Sequence, residues 1–551
     1  MRRFYTLLIV FVWVLCAFAQ KREVRAVWVA TIGGIDWPRS YAQSPASAEK
    51  QKKDLVDMLD KLQAAGINTV LFQTRVRATT VYPSRHEPWD GCITGTPGKA
   101  PCYDPLRFAI EECHKRGMEL HAWLVTIPVG KWNGLGCKTL RKRYPSLVKR
   151  IGAEGYMNPE NPRTASYLAA MSQEIVRQYD VDGIHLDYIR YPEQWRVRGS
   201  ADRARGYITA IVRAIHQAVK SEKPWVKMSC SPIGKFADLS RYKSGGWNAY
   251  ARVFQDARAW LKEGLMDELY PMMYFRGDQF YPFAIDWQEQ SQGRVVAPGL
   301  GIYFLHPSEG KWRIEDITRE MYHLRYLGQG YAFFRAKFFI DNTQGIYDFT
   351  SKVFNSGLSL VPAMTWQDSI PPASPKDLSV TRVSNATVVS WQPADAASAD
   401  STSPLYTYYN VYASRQYPVD IEDAAHLIAI RRRGNSLRLN HAPEGFFYAV
   451  TAMDRYGNES EPLQMAVSPS FTMPGSFLEC DGKQLSLPPR DKALDADMLF
   501  VETLQGRAVA KFPYRGEKAD VSNLPNGVYQ LRAVDDKGVT HRLGFFAVRR
   551  D

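Results

Sequence analysis

Residues 181–192 read VDGIHLDYIRYP, and this stretch sets the pattern for the first two thirds of the chain. Apolar and polar side chains alternate along it, which is typical of a β-strand with two different faces. Ile184 and Leu186 fall on one face, and His185 and Asp187 on the other. An amphipathic segment, 164–179, comes directly before it and predicts a helix. The repeating unit is therefore a helix followed by a short, largely buried strand.

The same unit recurs on both sides of this stretch. Each predicted helix ends near a glycine, which can adopt the left-handed conformation that closes a helix. The helices are predicted over 52–65, 106–116, 247–263 and 314–327, and the strands that follow them are INTVLFQTRV, MELHAWLV, LMDELYPMMY and GYAFF. Three further strands are expected at REVRAVWVAT, WVKMSCSP and VVAPGLGIY.

About eight strands thus alternate with helices over residues 22–355. Such alternation favours parallel pairing through crossovers. We therefore predict an α/β fold, a (β/α)8 TIM-type barrel. An open doubly wound sheet is the alternative. It is disfavoured because Gly33 and Gly34 alone do not make the glycine-rich phosphate loop that would follow its first strand.

Barrels of this kind carry their active sites at the carboxyl ends of the strands. Arg75, Trp123, Asp187 and Tyr274 all lie late in their predicted strands, so we expect them to converge. Asp187 is the first candidate for a catalytic acid, base or nucleophile. A salt bridge from Asp187 to Arg75 or Arg190 is the structural alternative.

Glycosidic bond cleavage uses two carboxylates. Asp278, in the loop after the sixth predicted strand, is our second catalytic candidate, with Asp36 and Glu87 as rivals. Acids at the starts of strands should instead hold the bottom of the barrel; they are Asp182, Asp267 and Glu268.

Aromatic residues are abundant at the predicted strand ends and in the loops after them: Trp28, Trp37, Trp89, Trp123, Trp132, Tyr274 and Tyr303. Sugar rings have apolar faces that stack on such side chains, and their hydroxyls need polar partners. Arg75 and Arg77 could bind a substrate carboxylate such as that of muramic acid, or pair with Asp187 or Glu87. The predicted substrate-binding residues are Trp28, Gln73, Arg75, His121, Trp123, His185, Tyr274 and Tyr303.

The amino end predicts export. Arg2 and Arg3 precede an apolar run, and Ala17-Phe18-Ala19 is a small-x-small cleavage site, so residues 1–19 resemble a signal peptide. We expect a periplasmic or extracellular protein with no integral membrane segment after cleavage. Cys92 and Cys102 flank a Gly/Thr/Pro-rich loop and could form a disulfide in an oxidising compartment. With neither a CxxC pair nor an HExxH motif, we expect no metal and no cofactor.

Several ordered motifs resemble the bacterial glycosyl-hydrolase-like family ten: REVRAVWVATIGGIDWP, QTRVRATTVYPSRHEPW, YDPLRFAIEECHKRGMELHAW, DVDGIHLDYIRYP and PMMY. The resemblance implies an exported (β/α)8 barrel that acts on glycans, in some relatives on peptidoglycan strands. That family commonly has two adjacent acids in the fourth-strand motif, whereas here Tyr188 follows Asp187. A more distant similarity to family 18 chitinases matches Asp182, Asp187 and Tyr274, but Ile189 stands where their catalytic glutamate would be.

The last third changes to short strands after a proline-rich linker at 370–375. Residues 371–468 resemble a fibronectin type III domain, most clearly in YAVTAMDRYGNES. Residues 470–551 resemble the sorting domains of Bacteroidetes secretion and other small β modules. We therefore predict two small all-β, sandwich-like domains after the barrel, the second a sorting or adhesion module.

These features together predict a secreted glycoside hydrolase that cleaves a bacterial or host polysaccharide, with peptidoglycan glycan strands favoured. The alternative is a non-catalytic glycan-binding protein on a degenerate barrel. The formal net charge of +13 allows an anionic partner. Nucleic acid is not the expected one, because basic and acidic residues are interspersed and no binding motif occurs.

Overall fold

The computed structural model describes residues 20–551 apart from short gaps, which are 243, 384–385, 396–404, 441–444, 465–477, 490–495, 504–506, 516, 536–539 and 550–551. The predicted signal peptide, residues 1–19, lies outside the described residues. Among the described residues, every helix is too short or too polar to cross a membrane.

In residues 20–350, strands largely alternate with helices. The strands are β1 (Arg25–Val29), β2 (Thr69–Arg75), β3 (Glu119–Val125), β4 (Pro128–Lys131), β5 (Val148–Ile151), β6 (Glu154–Met157), β7 (Gly183–Asp187), β8 (Lys227–Cys230), β9 (Glu268–Leu269), β10 (Val295–Val296), β11 (Gly299–Leu300) and β12 (Tyr331–Phe333). The helices are α1 (Pro45–Ala64), α2 (Gly91–Thr94), α3 (Pro105–Lys115), α4 (Leu135–Arg143), α5 (Pro162–Gln178), α6 (Ala201–Lys220), α7 (Ala249–Arg252), α8 (Ala257–Lys262), α9 (Tyr281–Glu289), α10 (Ile314–Tyr326), α11 (Ala336–Ile340) and α12 (Ile346–Phe349).

Nine of these strands form one parallel sheet in the order β10-β9-β8-β7-β3-β2-β1-β12-β11. Only residues 297–298 separate β10 from β11, yet β10 pairs with β9 and β11 pairs with β12. One chain segment therefore lies at both edges of the sheet, which curls round on itself. With β10 and β11 taken as halves of one strand, this is the predicted eight-stranded TIM-type barrel. Strands β4, β6 and β5 form a separate small antiparallel sheet after β3.

Strand alternation sorts the barrel side chains as the sequence predicts. Val27, Phe72, Ile184 and Leu186 pack outward against the helices. A separate inner cluster fills the barrel itself with Ala26, Trp28, Leu71, Trp123 and Tyr270. The glycines predicted to end helices do so with positive φ, for example 72° at both Gly66 and Gly117.

One predicted helix is wrong. The segment expected to be a single helix over 247–263 forms two short helices, α7 and α8. The Asn248 side chain accepts from the Ala251 amide and the Asp256 side chain from the Ala259 amide, so each helix has its own N-cap. Trp247 is consequently left in the loop before α7.

The remaining described residues form antiparallel sheets. Their strands are β13 (Lys376–Val383), β14 (Ala386–Gln392), β15 (Tyr408–Ser414), β16 (Leu427–Arg432), β17 (Ser436–Asn440), β18 (Phe447–Met453), β19 (Leu463–Gln464), β20 (Gln484–Ser486), β21 (Met498–Thr503), β22 (Ala508–Pro513), β23 (Lys518–Asp520), β24 (Gly527–Val534) and β25 (Thr540–Val548).

Sheets β13-β14-β17 and β16-β15-β18-β19 pack face to face, with Val389 and Trp391 of one against Tyr409 and Val450 of the other. Sheets β22-β21-β24-β25 and β20-β23 follow. The all-β character of this third is as predicted. The fibronectin type III assignment and the domain boundaries stay predictions.

Candidate active site

Asp187 ends β7 at the mouth of the barrel, where three hydrogen bonds hold its carboxylate. The Trp123 indole Nε1 donates to Oδ2 at 3.1 Å. The Ser231 hydroxyl at 2.9 Å and the Tyr188 amide at 2.7 Å donate to Oδ1. Trp123 lies on β3 and Ser231 follows β8, the two strands that flank β7. Three neighbouring strand ends therefore orient one carboxyl group, which stays partly exposed.

Burial raises the pKa of the Asp187 carboxyl, and the opposing effects of Ser231, Arg190 and Trp123 are too small to cancel it. Such a carboxyl group keeps its proton to a higher pH than a free aspartic acid and is suited to donate it. Within the described residues, Asp187 forms no salt bridge. The structural alternative for Asp187, an ion pair with Arg75 or Arg190, is therefore not what holds it.

Tyr188 links Asp187 to the surface of the mouth. Its backbone is left-handed, with φ of 55°, a costly conformation for a residue with a large side chain. The Tyr188 hydroxyl donates to Oε2 of Glu193 at 2.9 Å, and the guanidinium of Arg190 lies 3.7 Å above the Tyr188 ring. Arg190 also pairs with Oε1 of Glu193 at 2.8 Å.

Tyr274 and Tyr303 form an aromatic wall beside this group. Their ring centroids are 5.8 Å apart in an edge-to-face arrangement, and Phe334 packs against both. Burial raises the pKa of the Tyr274 hydroxyl, and the charges of Tyr303 and Asp187 raise it further, so Tyr274 lies within electrostatic range of Asp187. The structure thus brings Tyr274, Tyr303 and Trp123 together with Asp187; their contacts with a substrate stay a prediction.

Trp28 and His185 face inward as predicted, but they lie deeper than Asp187. Trp28 is 2% exposed, and its Nε1 donates to Nε2 of His185 at 3.2 Å. The other ring nitrogen of His185 lies 3.0 Å from the Ser229 hydroxyl. Burial and then the charge of His121 lower the pKa of His185 well below its usual value, so the ring is neutral. These two residues pack the barrel interior, and their assignment to substrate binding stays a prediction.

His121 and Gln73 are also buried, and their polar atoms are used within the protein. His121 Nε2 lies 3.2 Å from a Glu119 oxygen near the bottom of the barrel. The Gln73 side-chain oxygen accepts from the amides of Thr31 and Ile32 at 2.9 and 2.8 Å and so fixes the loop after β1. His121 therefore lies toward the bottom of the barrel and Gln73 supports a loop on the mouth side, and contacts of either residue with a substrate stay predictions.

Arg75 departs from the predicted face because β2 carries one extra residue. Gln73 pairs with Trp123, but Arg75 already pairs with the next residue of β3, so alternation breaks between them. The Arg75 guanidinium is fully buried, forms an ion pair with Glu87 at 2.6 Å and donates to the Thr126 carbonyl at 2.8 Å. Of the two alternatives for Arg75, internal pairing is the one observed. Arg77, two residues later, is exposed.

The second predicted catalytic acid, Asp278, lies on a different loop from Asp187. Asp278 lies exposed in a short 3-10 turn after β9, where it accepts a hydrogen bond from Tyr242. It is not among the groups with the largest effects on the pKa of Asp187. Of its rivals, Asp36 is buried against Arg335 and caps the Ala30 amide. Glu87, the other rival, forms the buried ion pair with Arg75.

Two further expectations concern cysteines and metals. Both Cys92, which is buried, and Cys102, which is exposed, are free thiols, so the predicted disulfide is not formed in this structure. Across the described part of the chain, no three His, Cys, Asp or Glu side chains are grouped so that they could hold a metal ion.

Sequence reasoning missed Trp247, Ser231 and Glu193 at the mouth. Trp247 is 48% exposed, and the Arg190 guanidinium lies 5.4 Å from its ring centre. Two signals could have identified Ser231 and Trp247. Ser231 lies near the end of the predicted strand WVKMSCSP, and Asn248 is a typical N-cap residue that leaves Trp247 in a loop.

A parallel barrel with a carboxyl group and an aromatic wall at the carboxyl ends of its strands has the architecture of a glycosyl hydrolase-type protein. The chain belongs to the glycosyl hydrolase-like 10 family, whose model matches residues 23–204 and 200–304.

Two relatives and one solved structure illustrate the similarity. Glycosyl hydrolase YngK of Bacillus subtilis strain 168 is 29% identical over 483 residues, which cover 80% of this chain and 92% of that protein. Glycosyl hydrolase DigH of Escherichia coli strain K12 is 31% identical over 292 residues, 46% of this chain and 66% of that protein. The catalytic domain of a β-amylase from Paenibacillus polymyxa aligns with 61% of this chain and 99% of its own, at 9% identity and a TM-score of 0.41.

Proposed function

We propose that the protein is an exported glycoside hydrolase that cleaves glycosidic bonds of a polysaccharide, with peptidoglycan glycan strands as the substrate. Membership of a glycosyl hydrolase-like family and the barrel with its acid at the mouth support the reaction class. The observation that carries the proposal is the setting of Asp187. This carboxyl group is partly exposed at the mouth, oriented by Trp123, Ser231 and Tyr188, and biased by burial toward its protonated form.

Asp187 is the general acid in this reaction. Cleavage of a glycosidic bond leaves negative charge on the departing oxygen, and a positioned acid neutralises it by proton transfer. Three donors around the Asp187 oxygens also stabilise the carboxylate that remains after the transfer.

Charge and aromatic surface at the mouth support an anionic glycan. Burial and the charges of Glu154 and Glu193 raise the pKa of Tyr156, and the charges of Arg77 and Arg190 oppose this rise, so both guanidinium groups lie near Tyr156. Trp247 offers an exposed indole next to Arg190. A glycan carrying carboxylates, such as peptidoglycan, matches both features, and the net charge of +13 favours its approach.

The test is incubation of the purified protein with peptidoglycan glycan strands and with neutral β-linked glycans, followed by measurement of new reducing ends. We expect cleavage by the wild type, with the anionic strands preferred, and no cleavage by Asp187→Asn. Binding without any new reducing ends across the panel would instead establish a non-catalytic glycan-binding protein.

Export and the carboxyl-terminal modules are part of the same proposal. A protein that acts on wall glycan must leave the cytoplasm, and residues 1–19 supply the signal. Mass spectrometry of the protein from its native host should give Gln20 as the first residue. We further propose a catalytic unit over 22–355, a fibronectin type III spacer over 371–468 and a sorting or adhesion module over 470–551. Limited proteolysis should cut between them.

A further inference from the structure

Glu193 is a second carboxylate at the mouth, six residues after Asp187 in the loop that follows β7. Its side chain is 31% exposed. The Tyr188 hydroxyl donates to Oε2 at 2.9 Å, and Arg190 pairs with Oε1 at 2.8 Å. Each carboxylate oxygen has a further lone pair, so both can still accept a hydrogen bond from water or substrate.

A single residue connects the two acids. The Tyr188 amide donates to Asp187 and its hydroxyl donates to Glu193. The left-handed backbone at Tyr188 accompanies this double contact. Strained backbone that the surroundings maintain is concentrated at functional sites, because it holds reactive groups in place. Tyr188 therefore holds both carboxyl groups, that of Asp187 through its amide and that of Glu193 through its hydroxyl.

We propose that Glu193 is the second carboxylate of the reaction, the general base that activates the attacking water. This inference rests on the proposed glycoside hydrolase function and replaces Asp278 in that role. Asp278 is exposed on a different loop and contacts Tyr242, whereas Glu193 shares a residue with Asp187.

The surroundings of the two carboxyl groups favour opposite protonation states. Burial raises the pKa of Asp187. At Glu193 burial acts in the same direction, but the charge and hydrogen bond of Arg190 outweigh it and lower the pKa. An acid–base pair needs this division, with one group protonated and the other ionised at the same pH.

The Asp187 carboxyl gives its proton to the glycosidic oxygen, which leaves with the electron pair of its bond to the anomeric carbon. A water oxygen forms the new bond to that carbon, and the Glu193 carboxylate takes the proton that the water loses. Asp187 ends as a carboxylate and Glu193 as a carboxylic acid, and proton exchange with solvent restores both.

Glu193→Gln and Asp278→Asn are the matched pair of variants that test the proposal, because both replace a carboxylate by its amide. With a glycan that the wild type cleaves, we expect Glu193→Gln to lose about a hundredfold or more of kcat. Asp278→Asn should stay within about twofold of the wild type. Thermal unfolding of both variants checks that the fold is intact.

Azide separates a catalytic role from a structural one. It is an anionic nucleophile that needs no deprotonation, so added azide should restore bond cleavage by Glu193→Ala and yield a glycosyl azide. If Glu193→Gln does not fold, Tyr188→Phe removes only the hydroxyl that orients Glu193 and should lower kcat about tenfold.

Full activity of Glu193→Gln, or a hundredfold loss in Asp278→Asn, overturns the assignment of Glu193 while the glycoside hydrolase function stands. Failure of azide to restore Glu193→Ala also overturns it. A wild type that cleaves no glycan overturns the proposed function and this inference together.

Discussion

Asp182 and Asp187 lie five residues apart, Asp187 at the end of β7 and Asp182 just before its start, and the protein treats them in opposite ways. Asp182 is buried at the bottom of the barrel, where His114 Nε2 at 2.8 Å, the Leu120 amide at 2.9 Å and Arg431 at 2.6 Å contact its oxygens. Asp187 at the mouth receives hydrogen bonds but no ion pair within the described residues. Burial opposes ionisation of Asp182, yet His114 and Arg431 overcome it and hold its pKa well below the usual range.

The source of the compensating charge explains the difference. Arg431 belongs to β16, outside the barrel, and its guanidinium also reaches Glu119 at 2.9 Å and the Tyr408 hydroxyl at 2.9 Å. The β-sandwich therefore supplies the cation that neutralises the barrel bottom. Within the part of the chain that the structure describes, no such cation pairs with Asp187 at the mouth, and Asp187 remains partly exposed. One end of the barrel contributes stability and the other is available for chemistry.

The largest expected effect is on activity at the mouth. Asp187→Asn removes the proton that the reaction needs, and we expect kcat to fall about a thousandfold. Release of reducing ends from a cleavable glycan measures the loss. Circular dichroism should show the native fold. Retention of a tenth or more of the activity would assign the acid to another residue.

At the bottom, Arg431→Met should destabilise the protein by about 3–5 kcal/mol, because Asp182 and Glu119 lose a buried counter-ion. Denaturant unfolding measures this change, and kcat of the folded variant should equal that of the wild type. Arg432→Met is the matched control, since Arg432 is exposed, and should change stability by no more than about 0.5 kcal/mol. Equal losses of stability in the two variants would contradict the role of Arg431 as the counter-ion of Asp182 and Glu119.

The sequence predicts which end of the barrel each of the two aspartates occupies, but not the side-chain arrangement around them. The position of each residue along its strand assigned Asp187 to the mouth and Asp182 to the bottom, because the two ends of a barrel strand lie at opposite ends of the barrel. Strand alternation, which assigns side chains to the inner or outer face, failed at Arg75. An extra residue in β2 reverses the face on which Arg75 lies and leaves no signature in the residue pattern. The sequence also does not show how deep a side chain lies within the barrel. Trp28 and His185 have the predicted face but lie deeper in the barrel than Asp187, and this depth depends on how the strands stagger in three dimensions.

Contacts between segments that are distant along the chain also could not be predicted from the sequence. Nothing in the residues near Asp182 indicates that Arg431, about 250 positions later, would pair with it. Glu193 was near enough in sequence to be considered, but its importance rests on the left-handed backbone of Tyr188, which residue type does not predict.

The acid dependence of stability should separate the two aspartates. Asp182 has a lowered pKa, so its contribution is present above the unfolded value of 3.8 and is lost as the pH falls through the folded pKa. Asp187 has a raised pKa, so its contribution is present below 3.8 and is lost as the pH rises through the folded pKa. Denaturant unfolding from pH 7 to 2 should therefore show a smaller loss of stability on acidification for Asp182→Asn than for the wild type, by about 2 kcal/mol, and no such reduction for Asp187→Asn. Parallel curves for the wild type and both variants would contradict this division.

The smallest effect should come from the exposed surface of the mouth. Trp247 lies beside Arg190, which connects it to Tyr188 and Glu193, so a sugar stacked on its indole would be held next to the acids. Trp247→Ala should raise KM for a glycan about tenfold, equivalent to about 1.4 kcal/mol, and leave kcat within about twofold, since stacking acts equally on substrate and transition state. Tyr326→Ala removes an aromatic ring that is 87% exposed at the end of α10 and should change neither constant. Because both variants lose a solvent-facing ring, a rise in KM confined to Trp247→Ala would place sugar binding at the mouth, whereas equal KM values for the two would show that Trp247 does not contact the glycan.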